Sequence, residues 1–207
     1  MQPTKYLVMW SGGIDSTYTL AKLLKETTHP IHAHHIHFVN RENRGKQEME
    51  AVQKLLPRLR GIREFKLSES MIDHRQCVRV PFDMAVACFE AGVVQKNLAY
   101  QKIPCDKWTI GTHSKEGHDW ERWEVIKHAT KAACWPEKEP EFELQEFVSK
   151  QDEMIYLESL GLLSDCWFCR VPREGQSCGY CKTCQEVKDA INQHTLTTHN
   201  ENKTAML

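Results

Sequence analysis

The sequence predicts an α/β fold, a parallel sheet with helices on both faces, and three observations carry that expectation. Apolar runs of strand length alternate with stretches whose apolar residues recur at helical spacing. The first run, Tyr6 to Trp10, passes through Ser11-Gly12-Gly13 straight into a pattern with Leu20, Leu23 and Leu24 on one face. At 207 residues the chain suits one such sheet with a modest appendage. The expected division is a sheet domain over residues 1–160 and a cysteine-rich segment over 161–207 packed on it.

Each element has its own signal. Ile31 to Phe38 reads as the second strand and carries His32, His34, His35 and His37; alternation sends His34 and His35 to opposite faces, as edge or surface residues more readily than as metal ligands. A polar loop with Arg41 and Arg44 leads to a helix marked by Met49, Val52, Leu55, Leu56 and Leu59, and Arg60 to Leu67 reads as a third strand. Ser68 to Val80 is polar enough for a loop. Pro81 suits the first turn of a helix with the stripe Phe82, Ala85, Val86, Phe89 and Val93. Lys107 to Ile110 makes a fourth strand, ended by Gly111-Thr112-His113. A helix follows around Trp120 to Cys134, then a break at Pro136 and Pro140 and a short apolar stretch, Phe142 to Phe147. A last helix spans Ser149 to Leu160, and the tail beyond His194 is polar and expected to fray.

Composition narrows the function. The 27 Lys+Arg nearly balance 28 Asp+Glu, which favours a small ligand over a phosphate backbone as direct substrate. No run of about 18 apolar residues is present to span a membrane, and no signal-peptide layout opens the chain, so the expectation is a cytoplasmic protein. Of nine cysteines, Cys77, Cys88, Cys105 and Cys134 are scattered and read as buried reduced thiols; the rest crowd between Cys166 and Cys184.

A strand, a glycine turn and a helix start together make an anion site, because backbone N–H groups and the positive end of the helix dipole converge there. Gly12 and Gly13 let the backbone approach the anion, Ser11, Ser16 and Thr17 can add hydroxyls, and Asp15 could hold Mg²⁺. Trp10 and Ile14 flank the same loop. The spacing and lysine of the Walker A loop are absent. The stretch Ser11-Gly12-Gly13-Ile14-Asp15-Ser16-Thr17 resembles instead the pyrophosphate loop of the PP-loop ATP pyrophosphatases, which cleave ATP between the α and β phosphates. Ligands of parallel sheets bind beyond the C-terminal strand ends, where this loop, Asn40 to Arg44 and Gly111-Thr112 would meet.

At the other end, Cys169, Cys178, Cys181 and Cys184 supply four thiolates in a compact segment, with Gly179 for a tight turn. Tetrahedral Zn²⁺ in a structural role is the natural reading; spacing leaves open an iron–sulfur cluster, and Cys166 in place of Cys169. Loop and cysteines together, at Ser11 to Ser16 and at Cys169 followed by Cys178-Gly179-Tyr180-Cys181-Lys182-Thr183-Cys184, resemble the 7-cyano-7-deazaguanine synthases over most of the chain. The resemblance favours Cys169 as the fourth ligand. It implies a Rossmann-like sheet of the adenine nucleotide α-hydrolase type, with ATP, Mg²⁺ and Zn²⁺ as cofactors, and it makes homodimerisation an expectation.

The chemistry it implies is ATP-dependent ligation. A 7-carboxy-7-deazaguanine carboxylate attacks the α-phosphate, pyrophosphate leaves, and ammonia displaces AMP; a second activation and dehydration give the nitrile. Ser11, Gly12, Gly13 and Ser16 would hold pyrophosphate with Asp15 near Mg²⁺, and backbone near Ile36 to Phe38 would meet adenine. Arg44 would contact phosphate, and Gly111 and Thr112 would close over the nucleotide, while Lys46 and Glu48 read as surface residues. Two segments depart from the family. Where it has an Arg-Asn pair after a proline, this chain has Pro81-Phe82-Asp83-Met84; where it has Tyr-Pro-Asp-Cys-Arg, this chain has His118-Asp119-Trp120-Glu121-Arg122-Trp123. Asp119, Trp120 and Arg122 are the substrate candidates there. The departures touch the substrate more than the ATP chemistry, and leave two rivals: another PP-loop adenylating enzyme, such as a tRNA thiolase, and a non-catalytic nucleotide-binding zinc module.

Overall fold

The computed structural model describes residues 5–79, 82–112, 120–144 and 148–192. Strands β1 (Tyr6–Met9), β2 (Ile31–Val39), β3 (Lys66–Asp73), β4 (Lys107–Ile110) and β5 (Glu141–Phe142) form one parallel sheet in the order β3-β2-β1-β4-β5. Helices α1 (Ile14–Glu26), α2 (Gly45–Ile62), α3 (Asp83–Tyr100), α4 (Trp120–Cys134) and α5 (Lys150–Ser159) connect and follow them. A last helix, α6, runs over residues 182–192. The predicted α/β class with helices on both faces is what the chain adopts.

Alternation along β1 divides the core. Tyr6, Val8 and Trp10 pack with α1, α2 and α5, whereas Leu7 and Met9 pack with α3 and α4. The chain runs outward from β1 to β3 on one side, then returns across the sheet to β4 and β5 on the other. Parallel crossovers are right-handed, so reversing the direction of travel moves the helices to the opposite face. The reversal creates a crevice between β1 and β4 at their C-terminal ends, and the Ser11–Gly13 loop opens into it.

Three elements differ from their sequence patterns. The third strand is Lys66–Asp73, not Arg60 to Leu67 with a loop after it. Helix α2 continues to Ile62, and the polar β3 is an edge strand. Its Ser68 and Ser70 hydroxyls bond the rings of His32 and His34 at 2.7–3.0 Å. In α3 the buried face is Met84, Ala87, Cys88, Ala91, Val94 and Leu98, while Phe82 and Phe89 are exposed. The helix is apolar most of the way round, so close packing decides its face. Gly92 lies so near α4 that a Cβ would overlap the Thr130 carbonyl. The histidines also differ: His34 and His35 are buried on opposite faces, not exposed at an edge. Cys88, Cys105 and Cys134 are buried as expected, but Cys77 is exposed in the loop after β3. Pro81, His113, Phe147 and the tail beyond His194 lie outside the described residues. No helix among the described residues is long and apolar enough to cross a membrane.

Candidate nucleotide site and cysteine centre

Gly12 takes φ +78°, a conformation that favours glycine, and turns the chain from β1 into α1. Gly13 occupies the N-cap without a side-chain cap. Thr17 N–H is bonded to Gly13 O at 2.9 Å. The N–H groups of Ile14, Asp15 and Ser16 precede it, and helix geometry gives them no partner within the helix. Within the loop, Ser16 Oγ lies 3.0 Å from Ser11 Oγ and accepts from Ser11 N–H at 3.1 Å. Gly111 packs directly on this turn; a Cβ there would overlap the backbone of Asp15 and Ser16.

Around the loop is a cavity of about 210 Å³. Its apolar lining includes Met9, Ile36, Phe38, Met84 and Ala87, and its polar lining Ser11, Asp15, Ser16, Arg44, Asp83 and Arg170. A second recess of about 150 Å³ shares Ser11, Gly13, Arg44 and Arg170 and adds Lys150. The structure therefore gathers Trp10, Ser11, Gly13, Asp15, Ser16, Arg44 and Gly111 at one cavity. Two members of the predicted loop set line neither recess: Gly12 turns the chain against α2, and Thr17 is buried and accepts a hydrogen bond from Trp10 Nε1 at 3.1 Å. Ile14 belongs to the core and also lines the second recess. Thr112 is buried beside Gly111. Asp119 lies outside the described residues, as do the side chains of Trp120 and Arg122.

Of the charged groups lining the two recesses, the sequence pointed to Asp15 and Arg44 but not to Glu48, Asp83, Lys150 or Arg170. Arg44, 8% exposed, meets Asp83 at 2.6 Å, Glu48 at 3.1 Å and Glu42 at 3.3 Å. Arg170 reaches the same Asp83 at 2.7 Å. Glu48 is thus buried beneath Arg44, one helical turn away, and is not the surface residue its position suggested; Lys46 is exposed as expected. Burial works against the Arg44 charge, but Glu48, Asp83 and Glu42 more than offset it and raise its pKa. Burial also opposes ionisation of Asp83, yet Arg44 and Arg170 hold its carboxyl below the ordinary value. Burial pushes Glu48 up to about 7 against the pull of Arg44. The two shifts conflict over the Arg44–Glu48 pair: one favours an ionised Glu48, the other a neutral one. Asp83, at the shorter distance, is the ionised partner, and Glu48 is the carboxyl that takes up a proton first.

Asp15 is in contact with Lys150 Nζ, which also lies 3.1 Å from Glu153. Lys150 opens α5, where Ser149 forms a capping box with Asp152. Burial lowers the Lys150 pKa, opposed by Glu153. The signal that could have found Lys150 is its place: the first residue of a capped helix, after the last strand.

The four sulfurs of Cys169, Cys178, Cys181 and Cys184 lie within 4.8 Å of one another and could hold a metal ion. Cys166 is not among them; it is buried and faces the Leu162 carbonyl at 3.5 Å. Gly179 takes φ +74° at the turn, and the N–H groups of Cys178 and Cys181 point at the sulfurs of Cys169 and Cys178 at 3.2 and 3.3 Å. Trp167 N–H donates to Gly12 O at 3.0 Å, which ties this segment to the glycine loop.

The fold and these two centres define an α/β chain with an uncapped helix start at the switch point of a parallel sheet and a four-thiol centre beside it. No family model and no curated protein matches the chain. Among solved structures, it is similar to the U34-tRNA thiolase NcsA from Methanococcus maripaludis with its 4Fe-4S cluster. The identity is 14% and the TM-score 0.49, over 94% of this chain and 68% of that one. The fold class follows from the chain's own parallel sheet order.

Proposed function

We propose that the chain is an ATP-dependent adenylating enzyme of the PP-loop type, in which the Ser11–Ser16 loop receives pyrophosphate as it leaves. The observation that carries this reading is the ring of cations, Arg44, Lys150 and Arg170, around an uncapped helix start at the sheet's switch point. A leaving pyrophosphate gathers negative charge, and donors already in place stabilise that charge without reorganising. The apolar lining, with Ile36 and Phe38, suits the flat face of adenine. Asp15, half-buried at the mouth, is the carboxylate suited to Mg²⁺ accompanying ATP, which would further neutralise the phosphates.

The acceptor we favour is the carboxylate of 7-carboxy-7-deazaguanine, with ammonia as nitrogen donor and the nitrile as product; support comes from the loop and cysteine spacing. Zn²⁺ suits the cysteine centre. Bonds of about 2.3 Å in a tetrahedron put sulfurs about 3.8 Å apart, and Cys178 and Cys184 sulfurs lie 3.9 Å apart. A four-iron cluster places each thiolate on a different iron and spreads the sulfurs wider, whereas the four here lie within 4.8 Å of one another. Incubation with the acid, ammonium and Mg·ATP should yield AMP, pyrophosphate and nitrile. AMP release without nitrile would move the acceptor elsewhere; no AMP with any acid tested would leave a binding module.

One observation favours a second acceptor, a tRNA base to be thiolated. Sulfur transfer needs an accessible thiol, and Cys77 is exposed in the loop beyond the C-terminal end of β3, the end of the sheet that carries the cavity. One zinc and no iron per chain, with unchanged turnover for Cys77→Ser, would dismiss it.

A further inference from the structure

Arg170 joins the two centres, and nothing in the sequence pattern marked it. Its backbone follows Cys169 directly, and its N–H points at the Cys181 sulfur. Its side chain leaves the cysteine centre for the nucleotide cavity, where it lines both recesses beside Ser11 and Gly13. There Nη2 alone contacts Asp83, at 2.7 and 2.9 Å, and Glu42, at 3.4 Å. A guanidinium has five N–H donors in a fixed fork, so a group held through one nitrogen keeps capacity for an anion on the other side. Asp83, the first residue of α3, steadies it there.

We infer that Arg170 is a ligand-binding residue for the pyrophosphate portion of ATP, and that the cysteine centre serves as its mount. The inference rests on the adenylation reading and deepens it: the four-thiol centre sets nucleotide affinity as well as holding the C-terminal segment. Guanidinium and phosphate oxygens make charge-assisted bonds, and each bond to a charged group changes affinity by about tenfold or more. Metal bound by Cys169 and Cys181 fixes the two groups that hold the Arg170 backbone. Without it the side chain loses its aim and the loop loses one of three cations.

The test compares wild type with Arg170→Ala and Arg170→Lys, using Mg·ATP, inorganic pyrophosphate and AMP as separate probes in calorimetry, with metal content and thermal unfolding measured on each protein. Arg170→Ala is expected to weaken ATP and pyrophosphate about tenfold or more, leave AMP within about twofold, and keep its metal and melting temperature; Arg170→Lys should fall between. Chelating the metal should weaken pyrophosphate in wild type by a similar factor and add little in Arg170→Ala, because both remove the same contact. Unchanged pyrophosphate affinity in Arg170→Ala overturns the inference and leaves the adenylation reading standing. An equal loss for AMP also overturns it, since that marks a structural role. Wild type that binds neither ATP nor pyrophosphate overturns both. If the chelated protein unfolds, the substitutions alone decide.

Discussion

His34 is held neutral in the wall of the cavity beside the glycine loop. Burial, and then the charges His32, His35 and His37 would carry, lower its pKa to about 4. Its ring lies between two hydroxyls, Ser68 Oγ at 2.8 Å and Ser70 Oγ at 3.0 Å, which can serve either tautomer of a neutral imidazole. Glu90, 3.9 Å away, is too distant to rescue the cation. Between pH 6.5 and 4 the unfolded chain takes up a proton here that the native chain does not. Stability from this residue is therefore complete above pH 6.5 and is lost as pH falls through the window, by up to about 3 kcal/mol. Denaturant titrations across that range should show the decline, and His34→Gln should flatten it; an equal slope in the variant would place the effect at another group.

Among the elements, α5 shows how local chemistry reaches the site. Ser149 Oγ accepts from Asp152 N–H at 3.1 Å, Asp152 reaches back to Ser149 N–H at 3.3 Å, and the next residue is Lys150. Ser149→Ala should cost about 1 kcal/mol by leaving the first helical turn short of partners. It should also loosen Lys150 from Asp15, so AMP release should slow more than that stability loss alone explains, which parallel melting and turnover assays would read. The helix was legible in the sequence because helical spacing is a pattern of residues three and four positions apart. The face of α3 was not. An element apolar nearly all round leaves periodicity nothing to select, and the contact of Gly92 with α4 exists only after folding. The polar β3 was hidden for a related reason: an edge strand satisfies its hydroxyls on the histidines of β2, which no local pattern displays.

At the scale of the molecule, the cysteine centre closes the C-terminal segment onto the first face of the sheet. Cys166, Val187 and Ala190 join the core that holds Trp10 and Leu20, and Trp167 bonds the glycine loop. Metal removal by a chelator should lower the melting temperature by at least about 5 °C, since about 2 kcal/mol moves a chain of this size that far. Calorimetry before and after chelation, with metal added back, checks it; an unchanged melting temperature would reduce the centre to a mount for Arg170 alone. The sequence by itself determined the alternation of strands and helices, the glycine loop at the head of α1 and the four clustered cysteines. Each of these is a pattern of near neighbours, set by backbone geometry or ligand spacing. Only the tertiary structure decided which further charges join Arg44 at the loop. Asp83, Lys150 and Arg170 are distant along the chain and converge because right-handed crossovers bring the strand ends and the cysteine segment to one crevice. Burial there, not residue type, turned Glu48 from a surface acid into a carboxyl that gains a proton near pH 7.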